Sequence, residues 1–289
     1  MAFEIGVLLA LSAFIFWGFG DFLIQRTTRK IGDWETLLVL DGIGVVILLP
    51  FVYNDFGSLL HGDTLAVLLA ASVAMLFASI TDFEALKKGK IGVVEPIYAL
   101  EIPVAGLFAF FVINESIGMF HSALIAMLIM GIALVSLKSR HFSRKAWLEK
   151  GVVVALVGVL LMGLTAFLFG FSTRITNPLM VVWFTNLFTG GVSLYYLMVS
   201  RKLGKLGKDI TKNKKLILTV GLLDNFAWVT YGFATSLIPI AIATALSENY
   251  IVLAAILGLL INKESLLRHQ KIGLVIAISS AVVLAATFG

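Results

Sequence analysis

The chain of 289 residues has no cysteine, which excludes a disulfide framework, a thiolate metal site and a cysteine nucleophile. Charge is scarce too: Asp, Glu, Lys and Arg supply 13% of the residues, whereas hydrophobic residues supply 60%. So little charge cannot coat a water-soluble fold, and a mean hydropathy of +1.02 points to a polytopic membrane protein. Histidine is equally sparse. His61, His121, His141 and His269 lie at or beyond the ends of the apolar runs, and none is spaced with another for a metal, so neither a zinc site nor a His-based dyad is expected. There is no nucleophile elbow, no HExxH and no Gly-x-x-x-x-Gly-Lys-Ser/Thr loop. The expectation is a non-enzyme with no catalytic residue, cofactor or metal. The opening Met1-Ala2-Phe3-Glu4 lacks the basic start of a signal peptide, so the first apolar run should stay in the mature chain.

What is present is a series of apolar segments. Ten emerge, at roughly 5 to 24, 36 to 53, 64 to 86, 91 to 113, 120 to 137, 151 to 172, 178 to 199, 215 to 237, 240 to 261 and 271 to 288. The fold class this predicts is an all-α integral membrane protein with ten transmembrane helices. Of the 22 Lys and Arg residues, 21 fall in alternate connections, and only Arg174 falls in the others. Because basic residues concentrate on the cytoplasmic side, both termini are expected outside, in a multi-pass protein of the cell membrane. The net charge of +5 then reflects loops meeting anionic headgroups, and no nucleic-acid partner is implied. Trp34 and Trp147, beside basic connections, fit interfacial anchors.

The two halves look related. At an offset of 149 residues, Ile91, Ile102, Ala105 and Glu115 match Ile240, Ile251, Ala254 and Glu264. Five segments per half is an odd number, so the second copy enters the membrane in the opposite sense. The expectation is two inverted five-helix repeats, 1–140 and 141–289, with a site between them near the midplane.

The candidate site residues are acids within the spans: Asp21, Asp41, Asp82, Glu84, Glu95, Glu101, Asp224 and Glu248. An ionised acid at the bilayer centre costs about 3 kcal/mol on insertion scales, and no Lys or Arg lies deep enough to pair with the central ones. A proton or a cationic solute would supply the missing charge. Glu101 lies near the midplane, and Pro103 cannot donate to the carbonyl of Ala99 one turn before. Asp224 is followed by Trp228 and Tyr231 at i+4 and i+7, Tyr98 precedes Glu101 by three, and Thr244 precedes Glu248 by four. Acids beside aromatic faces suit an organic cation, through neutralisation and cation–π attraction. Nearer the basic ends, Asp21 shares a face with Trp17, and Asp82 shares one with Ser79. Glu84 reads as the partner of Lys88 four residues on, and Asp41 is balanced between structure and function. Asn225, Asn249 and Tyr250 fit either contacts to a solute or bonds between helices.

Phe16-Trp17-Gly18, the run Ala99-Leu100-Glu101-Ile102-Pro103 closing in Asn114-Glu115-Ser116, and Asn262-Lys263-Glu264-Ser265 followed by Ile272-Gly273 carry a resemblance. They are similar to the Trp-Gly, Leu-Glu-Pro and Gly-Glu stretches of EamA-type transporters in the drug/metabolite transporter superfamily. Ile102 interrupts Glu-Pro here, Asn114 and Lys263 replace Gly before Glu, and segment 6 has no Trp matching Trp17. Family members usually keep their termini inside, the reverse of the expectation from the basic loops. The resemblance implies a cavity walled by helices 1, 3, 4, 6, 8 and 9, which selects Trp17, Asp21, Asp82, Tyr98, Glu101, Asp224, Trp228, Tyr231, Glu248 and Tyr250 as residues for substrate binding or proton coupling. The leading expectation is a secondary transporter of a small polar or cationic organic solute working by alternating access, with the bilayer, the solute and protons as partners, as monomer or homodimer. The rival classes are a lipid-acting intramembrane enzyme, disfavoured by the missing nucleophiles and bases, and a channel or scramblase.

Overall fold

The computed structural model describes residues 2–88, 97–136, 150–250, 252–253 and 267–287. Among them the chain forms helices α1 (Ala2–Ile31), α2 (Asp33–Val52), α3 (Gly62–Lys88), α4 (Glu101–Ile113), α5 (Met119–Ser136), α6 (Lys150–Ile175), α7 (Pro178–Val199), α8 (Leu203–Leu237), α9 (Ile240–Ser247) and α10 (Arg268–Thr287), with a short 3-10 helix at Tyr53–Leu60. Among the described residues, six stretches are long and apolar enough to cross a membrane. Helix suits such segments because every backbone polar group finds its partner within the segment. Hydroxyl side chains follow suit by donating to carbonyls one turn back, as Ser72 does to Leu68 at 2.7 Å and Thr165 to Leu161 at 2.8 Å.

Local chemistry sets several helix ends. Asn177 caps α7 by accepting from the Leu179 N–H at 3.0 Å, and Pro178 takes the first helical position, where no amide proton is needed. Asn114 ends α4 in the left-handed conformation, φ 54° and ψ 29°, that an asparagine tolerates at this position. The basic connection expected to be a loop before segment 8 is instead mostly helical. Helix α8 starts at Leu203 and bends at Asn213, φ −116° and ψ 20°, where the Asn213 amide donates to the Asp209 carbonyl and accepts from Lys30. At this same end Trp34 stacks on Tyr196 with ring centroids 4.2 Å apart.

The packing repeats itself. The most extensive contacts are α1 with α8, α3 with α6, α2 with α7, and α5 with α10. Exchanging each helix with the one five places later turns the first pair into the second and leaves the other two unchanged. The lesser contacts α4–α6 and α1–α9, and α2–α8 and α3–α7, exchange in the same way. The α5–α10 contact brings backbone close to backbone: a Cβ on Gly131 would meet Ala277 backbone at 2.6 Å, and one on Gly273 would meet the Gly131 carbonyl at 2.7 Å. Small residues let helices approach this closely where no hydrophobic drive between helices exists.

Two expected continuous spans are interrupted. The helical turn at Ile97-Tyr98 gives way to a turn at Ala99-Leu100 before α4 begins, and α9 gives way to a turn at Glu248-Asn249 before helix resumes at Tyr250. Pro103 therefore sits in the first turn of a new helix, where its missing N–H costs little, and does not break a continuous one. The two interruptions are 149 residues apart, the offset of the sequence repeat.

Candidate functional site

Both interruptions face one cavity of about 110 Å³. Tyr98 and Glu101 flank the first break, Glu248 and Tyr250 the second, and all four line the wall. Glu101 opens α4 and is 4% exposed. Around them stand Trp17 of α1, Asp41 of α2, Ser79 and Asp82 of α3, Phe169 of α6, Thr185, Asn186 and Thr189 of α7, and Asp224, Trp228 and Tyr231 of α8. The wall contains no Lys, Arg or His among the described residues. In α1, α2 and α3 the lining positions run from mid-helix toward the end that carries the basic connections, as Trp17 and Ile24 do in α1, whereas in α7 they run from near its start to its middle, from Val182 to Thr189.

Four rings from three helices form an aromatic box. Trp17 meets Trp228 edge-on, with centroids 5.0 Å apart, and Tyr231 at 5.4 Å. Phe169 closes the far side at 4.9 Å from Trp228 and 5.9 Å from Tyr231. The i+4 and i+7 spacing after Asp224 thus does put an acid and two aromatics on one stripe of α8 facing the cavity. Tyr231 is held by a 2.8 Å hydrogen bond between its hydroxyl and that of Thr244, and Thr244 donates to the Ile240 carbonyl of its own helix.

Of the residues expected at the site, Trp17, Asp82, Tyr98, Glu101, Asp224, Trp228, Tyr231, Glu248 and Tyr250 line this single cavity. The side chain of Asp21 lies outside the described set, as do Glu95 and Lys88. Asp41, left balanced in the sequence, belongs to the wall: it is 6% exposed and accepts a 2.7 Å hydrogen bond from Thr189. Its depth in α2 gave no decision, because the deciding partner comes from α7. Asn225 is a bond between helices. It donates to the carbonyls of Leu40 and Gly221 at 3.0 and 2.8 Å and accepts from Asn186 at 2.7 Å. Gly44 makes room for this pair, since a Cβ there would collide with both amides. Phe169, Thr185, Asn186 and Thr189 were not anticipated. Phenylalanine and threonine are ordinary packing residues in an apolar helix, and only Asn186, an amide at mid-span, offered a signal.

A polar column lies beyond Tyr231, toward the end of α8. Thr173 and Thr235 share a 3.1 Å hydrogen bond one turn beyond Tyr231. Beyond it, Arg174 donates to the carbonyls of Thr235 and Ile238 at 3.0 and 3.1 Å and forms a 2.6 Å ion pair with Glu115. Glu115 also accepts from the Ile240 N–H at 2.6 Å, capping α9. Nearby Asn177 donates to Asp55 at 2.6 Å. Arg174, the one exception in the tally of basic connections, is therefore a clasp joining α6, the ends of α8 and α9, and the connection that follows α4.

A helical bundle with a doubled packing pattern, two broken helices and an acidic, aromatic cavity at their meeting point has the architecture of membrane transporters. The chain belongs to the EamA-like transporter family, whose model matches it twice, over residues 4–137 and 149–286. It is a multi-pass membrane protein of a family of small-solute transporters. One solved structure, described only as a crystal structure of a protein, superposes with a TM-score of 0.76 at 15% identity, covering 98% of this chain and 96% of the other. That likeness shows the fold alone. No curated protein matches the sequence.

Proposed function

We propose that the protein is a secondary transporter that carries a small polar or cationic organic solute by alternating access. The observation that carries this reading is the convergence of both interrupted helices, each bringing an acid and a tyrosine, on one cavity. Glu101 and Glu248 neutralise the solute or a coupling proton, Asp224 and Asp82 assist, and Trp17, Trp228, Tyr231, Tyr98 and Tyr250 frame the pocket. Asp41 joins this set on the strength of its place on the wall. Units 1–140 and 141–289 insert in opposite senses, so rocking one against the other exposes the same site to either side. With basic connections toward the cytoplasm, the termini and the Arg174–Glu115 clasp lie on the outer side.

The test is uptake and exchange of labelled solute in proteoliposomes. Glu101→Gln removes the charge with little change of volume, and the expected result is loss of saturable flux with the folded protein retained. Unchanged flux would reject the role of Glu101, and flux that neither saturates nor exchanges would favour a channel. Proton coupling is tested in the same vesicles. It requires flux to respond to an imposed pH gradient.

A further inference from the structure

Asp41 of α2 and Thr189 of α7 meet at 2.7 Å on the cavity wall, and the same Thr189 hydroxyl lies 2.8 Å from the carbonyl of Thr185, one turn back in its own helix. Both separations are those of full O–H···O bonds, but a hydroxyl carries one hydrogen. With Asp41 ionised, that hydrogen goes to the carboxylate, and the Thr185 carbonyl keeps the Thr189 N–H of the helix. With Asp41 protonated, the acid supplies a hydrogen of its own to the Thr189 oxygen, and the hydroxyl hydrogen turns back to the Thr185 carbonyl. Other hydroxyls of α7 point that way: Thr185 donates to the Val181 carbonyl and Ser193 to that of Thr189, each at 2.8 Å. A protonated Asp41 then stands to Thr189 as Tyr231 stands to Thr244, whose own hydrogen goes to the Ile240 carbonyl.

The pair is held in place from both helices. Asn225 donates to the carbonyl of Leu40, next to Asp41 in the chain, and accepts from Asn186, three residues before Thr189. Gly190 lets α7 come this close, since a Cβ there would meet that of Asp41 at 3.0 Å. Asp41 is buried, and among the described residues no Lys, Arg or His lies on the wall. The titratable groups around it are acids and phenols: Asp224 of α8 within electrostatic reach, Asp82, Glu101, Glu248, Tyr98, Tyr231 and Tyr250 on the rest of the wall, and Asp33 and Glu35 at the start of its own helix. The facing stretch of α7, 185–190, carries none. Charge at this depth is costly unless something compensates it. A proton does so, and it asks only for a neighbour that can change from donor to acceptor, which a hydroxyl can.

We infer that Asp41 and Thr189 form a reversible proton site, in which Asp41 binds the proton and Thr189 positions it by reversing the bond between them. On release, the O–H bond at Asp41 Oδ2 breaks, the proton passes to water in the cavity, and Thr189 turns its hydrogen from the Thr185 carbonyl to the carboxylate. No heavy atom has to move. Uptake runs the same steps backward. This deepens the transporter reading and rests on it for the coupling role: the coupling proton belongs to Asp41, which leaves the acids of the two helix breaks to the solute.

The test is infrared difference spectroscopy on the purified full-length protein, stepped in pH across the range in which it transports, beside flux in proteoliposomes. A carboxylic C=O band that rises and falls reversibly with pH, and is missing from Asp41→Asn, belongs to Asp41. Thr189→Val takes away the hydroxyl and should shift that band in frequency and move its midpoint, and Thr189→Ser should restore both. Because Thr189→Val leaves Asp41 in place, the spectral test stands even where Asp41→Asn fails to fold. One proton carried per solute makes a gradient of one pH unit change solute accumulation by about tenfold, and in Asp41→Asn that response should be absent. No pH-dependent band at Asp41, a band that Thr189→Val leaves unchanged, or a gradient response that survives Asp41→Asn overturns the inference. Saturable exchange alongside any of these results leaves the transporter reading standing. If no solute is exchanged saturably while the Asp41 band still answers to Thr189, the transporter reading and the coupling role fall, and the proton site is upheld.

Discussion

If the cavity is closed at one end by the Arg174 clasp, weakening the clasp must open that end. Arg174→Gln removes the ion pair to Glu115 and the two guanidinium donations to Thr235 and Ile238, while Glu115 keeps its bond from the Ile240 N–H. The pair is not deeply buried, with side-chain exposures of 29% for Arg174 and 12% for Glu115, so water recovers part of the loss. Discounting for that, the substitution costs the closed form about 1–2 kcal/mol. A shift of that size multiplies the population of the alternative state by about 5–30. Thr235, fully buried directly beneath the clasp, is the position to watch. Because the chain has no cysteine, Thr235→Cys introduces a single thiol with no background to remove. Labelling of that thiol by a membrane-impermeant maleimide should accelerate in the Arg174→Gln background by the same factor. An unchanged rate in folded, correctly inserted protein would refute the idea that the clasp holds this end shut.

Other outcomes follow from the same geometry. Glu115→Gln keeps an oxygen for the Ile240 N–H and loses only the charge pairing, so it should accelerate labelling at the same thiol less than Arg174→Gln does. Gly44→Ala drives a methyl into the Asn186–Asn225 pair and should lower stability by about 1–3 kcal/mol, read as a fall in the melting temperature in detergent. Gly273→Val places branched carbon against Gly131 and Leu134 and should separate α5 from α10, with a comparable fall in melting temperature. Trp228→Ala removes the ring that touches Trp17, Phe169 and Tyr231, and should weaken binding of an organic cation roughly 2- to 30-fold, the range of one cation–π contact. Unaltered affinity in a titration of that variant would remove the aromatic box from the account.

The sequence exposes the helices of this fold because hydropathy is a local property, and it exposes Glu101, Asp224 and Glu248 because acids in apolar runs are rare. It does not expose where a span stops being helical. Pro103 drew attention to the right turn, but the break falls at Ala99-Leu100, and nothing in the residues at Glu248-Asn249 announces its counterpart. Asp41 and Asn225 show a second limit. Each is a polar residue at a similar depth, and one proves to line the cavity while the other ties helices together. The difference lies in Thr189, Asn186 and the Leu40 carbonyl, partners from other helices that no spacing along α2 or α8 reveals. Arg174 stood out only as an irregularity in a count of basic residues, since its importance depends on carbonyls more than sixty positions away.

Arg174 also bears on the proposed alternation between two forms. The contact between Glu115 and the Ile240 amide joins two positions that the internal repeat had already singled out, since Glu115 matches Glu264 and Ile240 matches Ile91 at the offset of 149. The sequence keeps glutamate and isoleucine at both copies of these positions and changes the third member of the clasp. At the same offset Arg174 aligns with Gln25, so in the sequence a guanidinium with five donors and a permanent charge is matched by an uncharged amide. A charge-assisted pair is about twice as strong as a neutral one, and a difference of about 1 kcal/mol is enough to set which of two near-equivalent conformations predominates. If the protein alternates between two forms as proposed, this one difference between the repeats favours the form in which Arg174 is engaged.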